Sequence, residues 1–176
     1  MALSQWMGGM EISPKTFQDY MSIVNAVILF LGLGFTALTI LNNRKDNKRT
    51  ATLELILHQR SNKDLNRAID LMAKLAREQS EFADLSKYLE NKESKERNAI
   101  IMVLNYREFV SVGINTGVID EKTYKRAYYN LMLRDWQYLE NTVNAIRKSP
   151  LGQATNFQDF EKLAKRWKEN PLPIEK

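Results

Sequence analysis

Ile23-Val24-Asn25-Ala26-Val27-Ile28-Leu29-Phe30-Leu31-Gly32-Leu33-Gly34-Phe35-Thr36-Ala37-Leu38-Thr39-Ile40-Leu41 lies within a stretch, residues 20–43, that has no charged side chain. Arg44-Lys45-Asp46-Asn47-Lys48-Arg49 follows it directly. A bilayer's hydrocarbon core needs about 20 mostly apolar helical residues. The 24 residues of this stretch make a helix of about 36 Å at 1.5 Å per residue, enough to span with some tilt. Lipid offers no partner to backbone polar groups, so a lone span must be helical. The competing reading, a buried core helix, is usually shorter and seldom ends in four cations within six residues. A cleaved signal peptide needs a basic start, a shorter apolar run and a small-residue cleavage site. Here Glu11, Lys15 and Asp19 precede the run, and no such cleavage site follows.

The cations set the orientation. Arg44, Lys45, Lys48 and Arg49 flank one end, against Lys15 at the other, and the basic flank stays in the cytoplasm. This predicts a single-pass protein of the inner (cytoplasmic) membrane, with residues 1–19 outside and the rest of the chain after the span inside. Trp6 and Tyr20 suit the outer interface. Ser13 is placed to cap the helix with Pro14 at its first position, and Ile12 and Phe17 have the spacing of a hydrophobic staple.

A net charge of +5 raises the question of nucleic acid, but its distribution argues against it. Residues 1–43 carry −1, residues 44–49 carry +3, and residues 50–176 carry +3. More than half of the excess therefore sits where topology requires it. The same cluster offers anionic lipid head groups roughly 1 kcal/mol per cation. The chain has no cysteine, which excludes disulfide scaffolds, thiolate metal sites and cysteine nucleophiles.

The remainder reads as helical, so the expected class is all-α: an N-terminal transmembrane helix (20–43), a basic juxtamembrane stem (44–62), a cytosolic helical domain (63–170) and a tail (171–176). The stem continues the membrane helix, with Leu53, Ile56 and Leu57 on one side. Asp64 is positioned to cap a second helix carrying Leu65, Ile69, Met72 and Leu75 at helical spacing. A shorter helix with Phe82, Leu85 and Leu89 follows, then a polar break at residues 91–94. The run Ala99-Ile100-Ile101-Met102-Val103-Leu104-Asn105-Tyr106-Arg107-Glu108-Phe109-Val110 is apolar on nearly every face, which predicts a central buried helix. Gly117 is its expected C-terminal cap. Asp120 is the expected cap of the next helix, with Ile119 and Tyr124 at staple spacing; its apolar stripe runs from Tyr124 through Trp136 to Ile146. A loop over 149–156 contains Pro150 and Gly152. A last helix over about 157–169 carries Phe160, Leu163, Ala164 and Trp167.

Asn105 and Glu108, three positions apart, share a helix face and are the polar residues expected to be buried, with Tyr106 in the same motif. A buried carboxylate needs a partner. One reading has Glu108 tie the central helix to a neighbour through backbone amides, a tyrosine hydroxyl or Arg107. The other makes Glu108 a general acid or base in a pocket. His58 is the sole histidine, so it makes no metal site alone. No phosphate loop, zinc pattern or nucleophile elbow occurs; no catalytic residue, metal ligand or cofactor site is predicted. Tyr124, Tyr128, Tyr129, Trp136 and Tyr138 alternate with Lys122, Lys125, Arg126 and Arg134. Such a mixture can bind single-stranded nucleic acid, but at helical spacing core packing is the better account. In the span, Ser22, Asn25, Leu29, Gly32, Thr36, Thr39 and Asn43 follow a 3-4-3-4 spacing and all but Leu29 are small or polar. Small residues let helices approach and polar ones bond across the interface, so Ser22, Asn25, Gly32, Thr36 and Thr39 form a candidate self-association stripe.

Leu104-Asn105-Tyr106-x-Glu108, followed by Val112-Gly113-Ile114-x-x-Gly117 and an aromatic-rich late helix ending in Trp, resembles a family of small single-span bacterial and phage proteins grouped as a domain of unknown function. The likeness covers residues 20–168. Arg107 stands where the motif usually has a second aromatic. The resemblance implies a fold and no established activity.

The expected function is a membrane-anchored, cytosol-facing helical module for protein interaction or oligomeric scaffolding. Its partners are membrane lipid, further copies of itself and an unnamed protein; nucleic acid is not expected. By analogy alone, a place in phage–host conflict or envelope maintenance follows. The alternative is a holin-like, membrane-perturbing effector whose polar stripe lines a pore. An enzyme using Glu108 ranks third.

Overall fold

The computed structural model describes residues 14–79 and 84–173. Trp6, Ile12, Ser13 and Phe82 lie outside the described residues. Among the described residues there are five α-helices and one 3-10 helix: α1 (Pro14–Ser61), α2 (Lys63–Arg77), the 3-10 helix Ser86–Leu89, α3 (Lys95–Asn115), α4 (Glu121–Lys148) and α5 (Gln158–Glu169). The protein is all-helical. It divides into two compact units at Lys45/Asp46.

In the first unit, α1 is long and apolar enough to cross a membrane; its apolar window has a mean hydropathy of 2.3 and none of it is buried. Phe30, Leu31, Leu33 and Phe35 are all largely exposed. The polar groups of this helix are partly self-satisfied. Ser22 Oγ donates to Gln18 O, Thr36 Oγ1 to Gly32 O, and Thr39 Oγ1 to Phe35 O, at 2.8–2.9 Å. Hydroxyls bonded back to the i−4 carbonyl in this way can face lipid without a partner helix.

The second unit begins with the end of α1. Its inward face is not the one the apolar pattern suggested. Thr52, Ile56 and Gln59 are buried, whereas Leu53 and Leu57 are exposed. Positions 52, 56 and 59 share one face of the helix, and both polar members find partners inside. Thr52 Oγ1 accepts from the Asp120 amide at 2.9 Å, and Gln59 Oε1 accepts from two tyrosine hydroxyls. The face that turns inward is the one whose polar members meet hydrogen-bond partners from α3, α4 and the turn before α4.

Helix ends follow local chemistry. The cap of α2 is Asn62, which accepts from Leu65 N at 3.0 Å, and not Asp64. Asn62 has the extended backbone a cap requires; Asp64 lies within the first turn, where its charge favours the helix dipole. Ser94 caps α3 and Asp120 caps α4, each through the amide three residues on. Gly117, at φ 77°, closes α3 in the left-handed region that a glycine enters without strain. Four residues past the end of α3, Ile119 sits against Gly113: a Cβ on that glycine would come within 2.5 Å of Ile119 Cδ1.

Helix α3 lies between α2 and α5 and also meets α4, and α5 packs on α4. The core is built from Met72 of α2, Ile100, Val103 and Leu104 of α3, Met132 and Leu139 of α4, and Phe160, Leu163 and Trp167 of α5. Each fully buried Leu or Met contributes about 1.5–3 kcal/mol relative to exposure.

The expectation that α3 is buried all round is corrected. Its buried positions are Ala99, Ile100, Val103, Leu104, Arg107, Val110, Ser111 and Ile114, a single helical stripe. Met102, Phe109 and Val112 are exposed. The expected burial of Asn105 fails for the same reason. Asn105 is exposed, since it lies two residues from both Val103 and Arg107, about 200° around the helix from each. The charged residue on the inward stripe is Arg107, with Ser111 one turn on.

Candidate functional site

Two polar clusters flank α3. The first joins α1, α3 and α4. Gln59 Oε1 accepts from Tyr106 Oη at 3.0 Å and from Tyr124 Oη at 2.8 Å. Beside them Arg107, fully buried, donates from Nε and Nη2 to Asp135 Oδ2 at 3.0 and 2.6 Å. Asp135, equally buried, accepts at Oδ1 from Arg134 at 2.8 and 3.1 Å. Ser111 Oγ donates to the Arg107 carbonyl at 2.7 Å. Burial alone pushes the Arg107 guanidinium down; Asp135 and the neighbouring tyrosine oxygens more than reverse this, leaving its pKa above the ordinary arginine value. Burial pushes the Tyr106 hydroxyl up to about 12 and raises Tyr124 as well. All three side chains thus hold their protons firmly at neutral pH, and the cluster behaves as a set of fixed donors and not as a proton relay. Such an interior suits a tie between elements.

The second cluster anchors α5. The residue before α5, Phe157, has φ 57° and makes no side-chain cap. Glu108 of α3 supplies the missing acceptor: Oε2 takes the Phe160 amide at 2.8 Å and Oε1 the Asp159 amide at 3.3 Å. Of the two sequence readings, the tie through backbone amides is the one found. Asn115 adds a bond from its amide to Asp159 Oδ1 at 2.7 Å. At the other end, Arg166 and Trp167 both reach Glu121, with Trp167 Nε1 2.8 Å from Oε1. Arg147 binds the Asn156 carbonyl and Glu161 Oε2. The loop leading into α5 also needs Gly152, where a Cβ would lie 2.0 Å from the Ile146 carbonyl oxygen.

Burial raises the Glu108 pKa above the ordinary glutamate value, and the two amides oppose this. A carboxyl with a raised folded pKa stabilises fully below the unfolded value, and the contribution is lost as pH rises through the folded value. Glu108→Gln keeps an acceptor for Phe160 and carries no charge. It should change stability by less than about 1 kcal/mol and flatten this part of the pH profile. Glu108→Ala leaves the first turn of α5 uncapped and should cost about 2 kcal/mol. Thermal unfolding in detergent between about pH 4 and 8, spanning the carboxylate range, reads both.

Glu108 also lines a cleft of about 700 Å³ with Ser86, Leu89, Arg97, Asn105 and Asn156. Both of its oxygens are occupied by amides, so its orientation is that of a cap. His58 is exposed on α1. Among the described residues, no three His, Asp or Glu side chains converge as metal ligands. The aromatic rings of α4 are turned to packing: Tyr124 stacks on Tyr128 at 4.9 Å, and Trp136 meets Phe160 edge-on at 5.2 Å.

The structure leaves Asn105 exposed, half-buries Glu108 and Tyr106, and separates them into different networks. The Arg107–Asp135 pair is absent from the sequence reading. Its signal was present: Asp135 falls on the stripe of Met132 and Leu139 in α4, as Arg107 does in α3, and a charge on an inward stripe demands a counter-charge.

No curated protein and no solved structure matches the chain. A family model does, over residues 26–167, which takes in the apolar helix from Ala26 onward, both clusters and α5 as far as Trp167. The chain belongs to the family described as a domain of unknown function, DUF4760.

Proposed function

We propose that the protein is a membrane-anchored helical module of the inner membrane, with residues 1–19 outside and the helical unit in the cytoplasm, and that it acts through protein interaction or self-assembly. The observation that carries this reading is the α1 segment: an apolar helix with none of its surface buried, followed at once by Arg44, Lys45, Lys48 and Arg49. The polar interior of the second unit supports it too, since Arg107, Asp135 and Glu108 are bound to structural partners. A bacterial or phage setting, and a role in phage–host conflict, rest on family resemblance alone.

The absence of cysteine gives a direct test. After membrane isolation the protein should resist carbonate extraction. Ser4→Cys should react with an impermeant maleimide in intact cells, and Lys92→Cys only after permeabilisation. The opposite labelling pattern would reverse the orientation, and release by carbonate would remove the anchor.

Self-association through Ser22, Asn25, Gly32, Thr36 and Thr39 now depends mainly on Asn25 and Gly32, because the three hydroxyls are satisfied within the helix. Asn25→Leu should weaken association by about 1 kcal/mol, roughly fivefold. Crosslinking in membranes checks this; an unchanged oligomer would discard the stripe. Depolarisation on induced expression would favour the holin-like alternative instead.

A further inference from the structure

Exposed leucines on the end of α1 need an explanation, because polar residues occupy the inward face beside them. Leu53 and Leu57 are 51% and 64% exposed. With α4 they floor a groove of about 730 Å³. Its rim is basic: Arg60 of α1 and Lys122 of α4 stand on it, beside Arg126 and beside Arg49, which pairs with Asp46 at 4.0 Å. The cleft beside Glu108 differs, since there Glu90 and Glu108 offset Arg97.

We propose that this groove docks an acidic amphipathic helix of a protein partner. The inference rests on the protein-interaction reading above and names the surface that would serve it. From Arg49 to Arg60 is about 17 Å along α1, or three helical turns. A partner helix laying apolar side chains at i, i+3/i+4 and i+7 onto Leu53 and Leu57 would bring flanking Glu or Asp residues to the basic rim. That is the helix-in-groove mode of recognition, with charge complementarity selecting the partner. Geometry disfavours an anionic lipid as the occupant. Leu57 lies about 17 Å along α1 from Asp46, at 1.5 Å per residue, so an acyl chain would have to leave the bilayer to reach it.

The test uses the full chain in phosphatidylcholine nanodiscs and a fluorescent helical peptide of about 14 residues, long enough to cover the groove. The peptide carries Leu at i, i+3/i+4 and i+7 and Glu elsewhere. Saturable binding is expected, weakened roughly tenfold by Leu57→Asp, a loss typical of a central apolar contact. The doubly reversed chain, Arg60→Glu with Lys122→Glu, should lose the Glu peptide and take up its Lys counterpart. Because these residues are exposed, the melting temperature should hold. Three results would overturn the proposal: no saturable binding of the Glu peptide to the native chain, competition for it by phosphatidylglycerol added to the nanodisc, or a halved native mass with Leu57→Asp, which would make a second copy the occupant. If the peptide fails while the native chain still purifies as a complex larger than a monomer, the groove is wrong and the interaction reading stands.

Discussion

Asp135→Ala is expected to destabilise the helical unit by about 3–5 kcal/mol, the range for removing one partner of a buried ion pair. The size follows from what remains. Arg134 is one-third exposed and can turn its charge to water. Arg107 is fully buried, and its Nη1 already lacks a hydrogen-bond partner. Without Asp135 it becomes a buried charge with no carboxylate partner, beside the Tyr106 and Tyr124 hydroxyls. A loss of this size removes a large part of the 5–15 kcal/mol typical of a domain, so low yield and early thermal unfolding should both appear. Replacing both members by apolar residues, Arg107→Met with Asp135→Leu, should recover most of the loss, since the desolvation penalty disappears with the charges. If the double variant unfolds as early as the single one, the pair has a role beyond charge balance.

Trp167→Ala should cost about 3–5 kcal/mol, the range for truncating a buried tryptophan. Trp167 is fully buried near the end of α5, lies 6.1 Å from the Tyr129 ring and donates to Glu121. Truncation opens a cavity, removes the ring contact and leaves Glu121 with Arg166 alone. The loss should be local as well as global. Helix α5 is held at its start by Glu108 and at its end by Trp167, so undocking the end should expose the second half of α5, from Lys162 to Glu169, to limited proteolysis. Trp167→Phe keeps most of the apolar volume and should cost less than half as much. Equal protease resistance of the Ala variant and the native chain would show that the Glu108 clamp is enough.

Much of the fold is legible because its signals are local. Ser94 and Asp120 cap helices through amides three residues away, and Gly117 closes α3 two residues past its end. The errors concern which way helices face. In α3, apolar residues on several sides hide the inward stripe, so the sequence puts Asn105 inside and offers Arg107 only as a partner for Glu108. In the end of α1, Leu53 and Leu57 attracted the apolar reading while Thr52 and Gln59 had partners that no local pattern reveals.

The sequence by itself determined the all-helical class, the apolar segment with its basic flank, and most helix ends. A span is a matter of length and composition, and a cap a matter of a few consecutive residues, so both can be read without knowing what lies nearby in space. Only the tertiary structure decided that Arg107 pairs with Asp135, 28 residues on, that Gln59 ties to Tyr106 across 47 residues, and that Glu108 caps α5 across 52. The same packing turned the leucines of α1 outward beside a basic rim. An inward-facing polar group is stable only where a partner from another element meets it, and that meeting is a property of the packed helices and not of any one of them.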